Sequence, residues 1–180
     1  PHLIPPERKF YLLSTMTTTP DPNPPTRRGP PRLPRRVAHF DLDTFFVAVE
    51  RTLNPDLIGK PVLVGGRDGR GVVAAASYES RVFGCHSAQP MSQALRLCPQ
   101  AIVIPPHRTE YSHVSKLFHE LLRDASPIVE SVGIDEAYVD FTGATLLPDL
   151  DPDPNLSTAA TIAEHVRRRV RDELHIAVSV

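Results

Sequence analysis

Two groups of carboxylates stand beside apolar, strand-like runs, in positions where they could bind metal ions. Asp41 follows the apolar run of residues 37–40, and Asp135 and Glu136 lie at a turn between two further apolar runs. A carboxylate at the end of a buried strand is costly unless a cation meets it. If the strands are neighbours in one sheet, Asp41 and Asp135 could hold two divalent cations, and oxygen ligands of this kind suit Mg²⁺.

The spacing of these carboxylates also fits a second interpretation, in which acidic residues simply end strands at the protein surface. Spacing alone leaves both interpretations open. The glycine-rich residues 65–71 resemble a phosphate-binding loop only superficially, because they lack the lysine and the Ser/Thr of a P-loop. We interpret them as the turn of a hairpin.

The elements that must position these side chains alternate between strands and helices. Apolar runs predict strands, and apolar residues at helical spacing predict helices. In chain order, the pattern predicts a strand at 37–40, a helix at 45–53, a hairpin of 61–64 and 72–76, a helix at 91–97, a strand at 101–104, a helix at 110–123, a hairpin of 128–132 and 137–141, a helix at 158–174 and a strand at 176–180. This order predicts an α+β fold with antiparallel hairpins.

Residues 1–36 differ in composition from the rest of the chain, because they hold half of its 20 prolines. Proline at this density disfavours helices and inner strands, and few apolar side chains are present to offset the cost of ordering. We predict a disordered Pro/Arg-rich leader at 1–36 and an ordered region at 37–180.

The overall charge argues against a simple nucleic-acid binder. The net charge is -1 and the sequence pI is about 6.8, whereas such proteins usually carry a basic excess. Either DNA is not the partner, or the basic surface lies in sequence beyond this chain. Cys85 and Cys98 suit buried free thiols in a reducing compartment. No apolar run reaches the ~20 residues of a membrane span, so we predict a cytoplasmic protein.

Three motifs carry a resemblance to a known family. They are FDLDTFFVAVE at residues 40–50, ASYESRVFG at 76–84 and GIDEAYVD at 133–140. In this order they resemble the motifs of Y-family translesion DNA polymerases of the DNA polymerase IV (DinB) class. The resemblance covers residues 37–180.

The resemblance implies a UmuC-type catalytic region with a polymerase palm and a small fingers subdomain. The palm would comprise residues 37–50 and 107–180, and the fingers residues 51–106. The implied activity is template-directed nucleotidyl transfer in DNA damage tolerance, by a DNA-directed DNA polymerase that uses two Mg²⁺ ions, with Mn²⁺ as a substitute.

The resemblance also implies the metal ligands. Asp41, Asp135 and Glu136 would be the catalytic carboxylates, and the main-chain carbonyl of Leu42 would complete the metal site on the nucleotide side. These roles come from the matched positions of the family motifs.

Three further residues would contact the incoming nucleotide. Phe46 would be a steric gate that excludes the 2′-hydroxyl of a ribonucleotide, while Tyr78 and Arg81 would contact the triphosphate. Without the resemblance, Phe46 reads as a core phenylalanine. Tyr78 and Arg81 then read as surface residues at the start of a helix.

The chain departs from the family pattern in three respects. Ala75 stands where many relatives have a threonine that helps to hold phosphate, and Gly133 replaces a frequent serine. The chain also ends at Val180, before a triphosphate-binding lysine, the thumb and the little finger. Because the thumb and the little finger make most of the contacts with DNA in this family, we expect residues 1–180 alone to polymerise little or not at all.

The implied partners are a primer-template DNA and a deoxynucleoside triphosphate, with a sliding clamp reached through the missing C-terminal part and the protein acting as a monomer. Two other functions remain open. One is a catalytically silent, polymerase-like interaction subunit of a damage-tolerance complex. The other is a nucleotidyl cyclase, which Phe46, Tyr78 and Arg81 fit poorly.

Overall fold

The computed structural model describes residues 33–66, 71–146, 150 and 156–180. Most of the predicted leader, the tip of the predicted 65–71 turn and most of residues 147–155 therefore lie outside the described residues. Residues 33–180 form one compact unit.

The main sheet has four antiparallel strands in the order β5-β6-β1-β7. They are β1 (Val37–Leu42), β5 (Val129–Ser131), β6 (Glu136–Asp140) and β7 (Val178–Ser179). In β1, Phe40 and Leu42 are buried, while His39 and Asp41 are half-exposed on the other face. This alternation follows from the two-residue period of a strand and gives the sheet one apolar and one polar face.

Two long amphipathic helices contribute to the core of this sheet. They are α4 (Arg108–Ala125) and α5 (Thr158–Leu174), which pack against each other. Phe118 and Leu122 of α4 and Val166 and Val170 of α5 lie in the same buried cluster as Phe40. Arginines on the outer face of α5 pair with acidic neighbours, as Arg167 does with Glu164. The helix therefore presents a solvated, charge-compensated face.

A second, three-stranded sheet has the order β3-β2-β4. It consists of β2 (Val62–Gly65), β3 (Val73–Ala76) and β4 (Ile102–Ile104), with the short helices α2 (Tyr78–Arg81) and α3 (Met91–Leu97) following β3 in the chain. β2 and β3 form the predicted antiparallel hairpin. β4, however, pairs in parallel with β2, which the pattern of hairpins did not predict. The long connection through α2 and α3 allows this crossover.

The second sheet has a small core of its own, which includes Cys85, Cys98 and Met91. Both cysteines are free and buried, as predicted. Gly65 sits where this core is tightest. A Cβ atom at Gly65 would lie 2.5 Å from the carbonyl oxygen of Val72 and 2.7 Å from Cε of Met91. A close approach of backbone and side chain therefore accounts for this glycine.

Helix α1 (Phe45–Leu53) runs between the two sheets and packs against β2, β3 and α4. Its buried residues include Val47, Val49 and Glu50. Arg51 at its last turn donates to Glu79 of α2 at 2.7 Å, which ties α1 to the second sheet.

The predicted helices at 45–53, 91–97 and 158–174 have the observed bounds, while α4 is longer at both ends than predicted. The predicted strands differ from the observed ones by one or two residues at one or both ends. Asp41 and Glu136 consequently lie inside β1 and β6, and not beyond the strand ends.

Candidate functional site: an acidic cluster between two strands and a helix

The pairing of β1 with β6 brings the two acidic motifs together. Asp41 and Glu136 are directly opposite each other in the antiparallel register. The main-chain N–H of Leu42 donates to the carbonyl oxygen of Asp135 at 3.0 Å. Because side chains of directly opposed residues share one face, Asp41 and Glu136 both project from the polar face of the sheet. The structure thus places all four predicted metal-binding residues at one end of the β1–β6 pair.

The cluster concentrates negative charge in a partly buried place. Burial raises the pKa of Asp135 above its usual range, and the negative charges of Asp41 and Glu136 raise it further. One basic side chain stands close by: Nε2 of His39 lies 3.2 Å from Oε2 of Glu136. The ring of His39 in turn leans on Tyr138, with 4.6 Å between ring centroids. A cation would be stabilising beside a carboxylate whose pKa is raised by neighbouring negative charges.

Gly133 leaves room for this arrangement. A Cβ atom built at Gly133 would lie 3.0 Å from Cγ of Glu136 and 3.4 Å from Oδ1 of Asp135. A side chain at position 133 would therefore crowd Glu136, and glycine avoids this contact.

The donor atoms of the cluster fit a hard divalent cation by their type, since carboxylate and carbonyl oxygens are the ligands that Mg²⁺ prefers. In this structure, however, the side chains are not arranged as they would be around a bound ion. Across residues 33–66, 71–146, 150 and 156–180, no three His, Cys, Asp or Glu side chains are grouped closely enough to hold a metal ion as they stand. The backbone places the donors together, and side-chain rotation would have to complete the site.

The turn from β1 into α1 adds a feature that the sequence did not predict. Thr44 has φ 48° and ψ 42°, a left-handed conformation, and its side chain makes no capping hydrogen bond. The first α-helical hydrogen bond runs from the N–H of Ala48 to the carbonyl of Thr44. The N–H groups of the first helical turn therefore have no side-chain cap from Thr44. Uncapped N–H groups at a helix N-terminus favour anions.

A cleft of about 480 Å³ lies beside this turn and is lined by Asp43, Thr44, Arg51 and Tyr78, among others. Asp43 at its edge accepts a hydrogen bond of 2.7 Å from the hydroxyl of Ser179. The cleft reaches from the end of β1 to the start of α2. In the sequence, Asp43 and Thr44 before an apolar helix predict an ordinary side-chain cap. They do not predict the left-handed, uncapped turn that the structure shows.

Tyr78 and Arg81 lie on α2, whose first turn is capped by the side chain of Ser77. Both residues are exposed, and the guanidinium carbon of Arg81 stands 5.3 Å from the centre of the Tyr78 ring. Nε of Arg81 donates to the carbonyl of Ala76 at 3.0 Å, which holds the guanidinium group near the end of β3. Tyr78 lines the cleft beside Thr44, whereas Arg81 is not among the residues of its lining.

Phe46 is half-buried near the start of α1. Its ring stacks on the ring of Tyr111 in α4, with centroids 4.4 Å apart and planes inclined by 19°. Phe46 therefore packs against the core without being enclosed by it. Neither Tyr111 nor its buried partner Glu50 was predicted as a site residue, although a glutamate on an apolar helix face indicates that a hydrogen-bond donor or a positive charge must compensate it.

Comparison with known proteins agrees with the motifs. The sequence profile of the impB/mucB/samB family matches residues 40–180. The chain belongs to the impB/mucB/samB family. DNA polymerase IV of Dehalococcoides mccartyi is 46% identical over 147 residues, which are 81% of this chain and 36% of that protein. DNA polymerase IV of Ralstonia nicotianae is 41% identical over 146 residues, which are 81% of this chain and 39% of that protein.

Solved structures of Y-family enzymes share the fold of this family member. The insertion ternary complex of Dbh DNA polymerase has a TM-score of 0.69 and 31% identity, over 79% of this chain and 41% of that chain. DinB from Sulfolobus solfataricus has a TM-score of 0.68 and 30% identity, over 79% of this chain and 40% of that chain. The predicted resemblance to DNA polymerase IV and the predicted α+β palm fold are confirmed.

The chain spans about two fifths of the length of the curated relatives it matches. Among the described residues, no helix combines the length and the apolar character that crossing a membrane requires.

Proposed function

We propose that this family member is the catalytic front part of a translesion DNA polymerase, which performs template-directed nucleotidyl transfer during DNA damage tolerance. The main support for this proposal is the β1–β6 pairing, which sets Asp41 opposite Glu136 and Leu42 beside Asp135. This pairing occurs in a chain that is 46% identical to a DNA polymerase IV.

Asp41, Asp135, Glu136 and the main-chain carbonyl of Leu42 would hold two Mg²⁺ ions, with Mn²⁺ as a substitute. Bound ions would supply Lewis acidity for the attacking primer hydroxyl and charge stabilisation for the leaving pyrophosphate. The protein's part is to concentrate oxygen donors at the end of a rigid strand pair. The raised pKa of Asp135, caused by burial and then by its acidic neighbours, supports this role, because a bound cation would offset the repulsion between the carboxylates.

The triphosphate would lie along the cleft between the α1 N-terminus and α2. Tyr78 lines this cleft. Arg81 lies on the same helix but outside the lining of the cleft, and its guanidinium would offer planar, paired donors to phosphate oxygens that project from the cleft. The uncapped N–H groups after Thr44 would add donors to phosphate. Phe46, two residues farther along the chain, would stand against the sugar as the steric gate.

In this proposal the four-stranded sheet with α4 and α5 is the palm, as residues 37–50 and 107–180, and the three-stranded sheet with α2 and α3 is the fingers, as residues 51–106. α1 connects the two. Primer-template DNA and a sliding clamp would be bound largely by regions beyond those present here. We further propose that the enzyme acts as a monomer in the cytoplasm.

The test joins this chain, after Val180, to the corresponding C-terminal part of the Dehalococcoides mccartyi DNA polymerase IV; we call this protein the completed enzyme. Primer extension by the completed enzyme should require Mg²⁺ or Mn²⁺. Asp41→Asn or Asp135→Asn should lower it by about 10³-fold or more, because each removes a charge that the metal requires.

Asp140→Asn is the matched control, because Asp140 lies on the same strand and the same face as Glu136 but at the other end, where it pairs with Arg35. It should retain primer extension. Extension that survives either Asp41→Asn or Asp135→Asn would refute the proposed site. Metal-dependent nucleotide binding without any extension would point instead to a non-catalytic role.

A further inference from the structure

Glu50 is a buried carboxylate that the proposed chemistry does not use. It lies in the middle of α1 and is 3% exposed, with the buried Val47 and Val49 as neighbours in the helix. A charged group in such a place is strongly unfavourable unless hydrogen bonds or opposite charge compensate it. Its partners should therefore show what it does.

Both partners of Glu50 belong to the start of α4. The hydroxyl of Tyr111 donates to Oε1 of Glu50. Nδ1 of His107 lies 2.9 Å from Oε1 and 3.0 Å from Oε2. His107 precedes the first residue of α4, and Tyr111 lies in its first turn. A carboxylate at the N-terminus of a helix is also favoured by the helix dipole. Glu50 thus fastens the beginning of α4 to α1.

The same tyrosine supports the proposed sugar gate. Tyr111 is 1% exposed, and its ring lies nearly parallel to the ring of Phe46 at 4.4 Å. Burial and the hydrogen bond to Glu50 both raise the pKa of Tyr111 well above its usual value, so that the hydroxyl remains a donor. Phe46 and Glu50 are one helical turn apart on α1 and share one face. Tyr111 thus contacts both the proposed gate Phe46 and the carboxylate of Glu50.

We propose that Glu50 is a positioning residue for sugar selection, which holds Tyr111 by its hydroxyl so that the tyrosine ring backs Phe46 at a fixed depth. The inference rests on the proposed role of Phe46. Without the anchor, the Tyr111 ring can shift, and Phe46 can retreat into the space behind it. The pocket at the sugar then deepens and admits a 2′-hydroxyl.

A purely structural role for Glu50 makes a different prediction. If the carboxylate only fastens α4 to α1, loss of either partner should lower stability and leave sugar selectivity unchanged. His107 and Tyr111 separate the two roles, because both bind Glu50 but Tyr111 alone of the two stacks on Phe46.

The experiment compares kcat/KM of the completed enzyme for a deoxynucleotide and for the matching ribonucleotide. Tyr111→Phe, which removes one oxygen atom, should lower the deoxy/ribo ratio about tenfold, the factor expected for loss of one hydrogen bond to a charged group. Glu50→Leu should lower it by at least as much. His107→Ala should keep the ratio within about twofold, as expected for a surface-side contact.

Phe46→Ala is the reference that separates failure of the inference from failure of the proposed function. If Phe46→Ala lowers the ratio and Tyr111→Phe does not, the positioning role is wrong and the gate stands. If Phe46→Ala leaves the ratio unchanged, the gate and its positioning residue are both wrong.

A second measurement on the 180-residue chain needs no polymerase activity. Glu50→Leu leaves the Tyr111 hydroxyl buried without its acceptor, so adding Tyr111→Phe should restore part of the lost stability. The double-mutant cycle in urea unfolding should show coupling by a factor of about ten in the unfolding equilibrium constant. Additive effects of the two changes would overturn the inference, whatever the polymerase assay gives.

Discussion

The acidic cluster should make the metal-free chain less stable than it could be, and removal of one carboxylate should reveal this. Asp41 faces Glu136 across the β1–β6 pair, and its charge is one of the causes that raise the pKa of Asp135. We predict that Asp41→Asn, which keeps the shape of the side chain, increases the free energy of unfolding of the 180-residue chain in EDTA at pH 7.

The size of this gain follows from the geometry. Like charges directly opposite on neighbouring strands cost roughly 0.2–1 kcal/mol. Asp41 is directly opposite one such charge, on Glu136, and lies near a second, on Asp135, but the cluster is only half-buried and water screens it. We therefore expect a gain of about 0.5–1 kcal/mol. In 1 M salt, where the Debye length is about 3 Å, most of the gain should disappear.

The pH dependence of the free energy of unfolding follows from the pKa of Asp135. Because the pKa of Asp135 is higher in the folded chain than in the unfolded one, the folded chain binds the proton more tightly. The resulting stability is fully present below the unfolded pKa of about 4 and is lost as pH rises through the folded pKa. The advantage of Asp41→Asn should accordingly be small at pH 3 and grow as pH rises above the folded pKa.

The assay is urea unfolding at pH 3 and pH 7, with Asp140→Asn as a control of opposite sign. Hydrogen bonds from Thr142 and the nearby Arg35 lower the pKa of Asp140, so its loss should destabilise the chain at pH 7. Saturating Mn²⁺ should stabilise the parent chain and have little effect on Asp41→Asn. If Asp41→Asn lowers the free energy of unfolding in EDTA at pH 7, the like-charge reasoning is wrong.

Three further predictions concern the second sheet and helix α1. Gly65→Ala should destabilise the chain by about 2 kcal/mol in urea unfolding, because the added Cβ would lie 2.7 Å from Cε of Met91; wild-type stability would disprove the close approach. Arg51→Gln should cost about 1 kcal/mol at pH 7 by leaving Glu79 unpaired. Partial burial raises the pKa of Glu79, but hydrogen bonds, including that from Arg51, lower it on balance, so the loss should vanish as pH falls through this pKa. Thr44→Asn should stabilise the chain by about 0.5–1 kcal/mol, measured by thermal unfolding, because asparagine tolerates the left-handed conformation better; destabilisation would count against strain at Thr44.

The sequence predicted best what depends on local pattern. The bounds of α1, α3 and α5 follow from apolar spacing and from stop signals such as Asn54-Pro55 and Cys98-Pro99. The side-by-side placement of Asp41 and Asp135 could be only a conditional prediction, because strand order is a tertiary property. The family resemblance supplied what spacing alone left open.

Other features could not be predicted, because they depend on contacts between distant segments. The parallel pairing of β2 with β4 requires the crossover through α2 and α3 to be known. The partnership of Glu50 with Tyr111 joins residues far apart in the chain, and neither residue type alone indicates it. The left-handed Thr44 contradicts its local preference, as strained residues near functional sites often do.

One continuous segment explains why these features belong together. β1 carries Asp41 to the acidic cluster, and the chain then turns at Thr44 and enters α1, which carries Phe46 and Glu50. The distance from the proposed metal ligand Asp41 to the proposed sugar gate Phe46 is therefore set by a single turn of backbone. A glycine at that turn would remove the strain but also the rigidity. A strained threonine with few alternative conformations keeps both groups in register, and the anchored Tyr111 fixes the helix that follows. In the proposed function, accurate placement at this junction would offset the cost of a left-handed threonine and a buried carboxylate within seven residues.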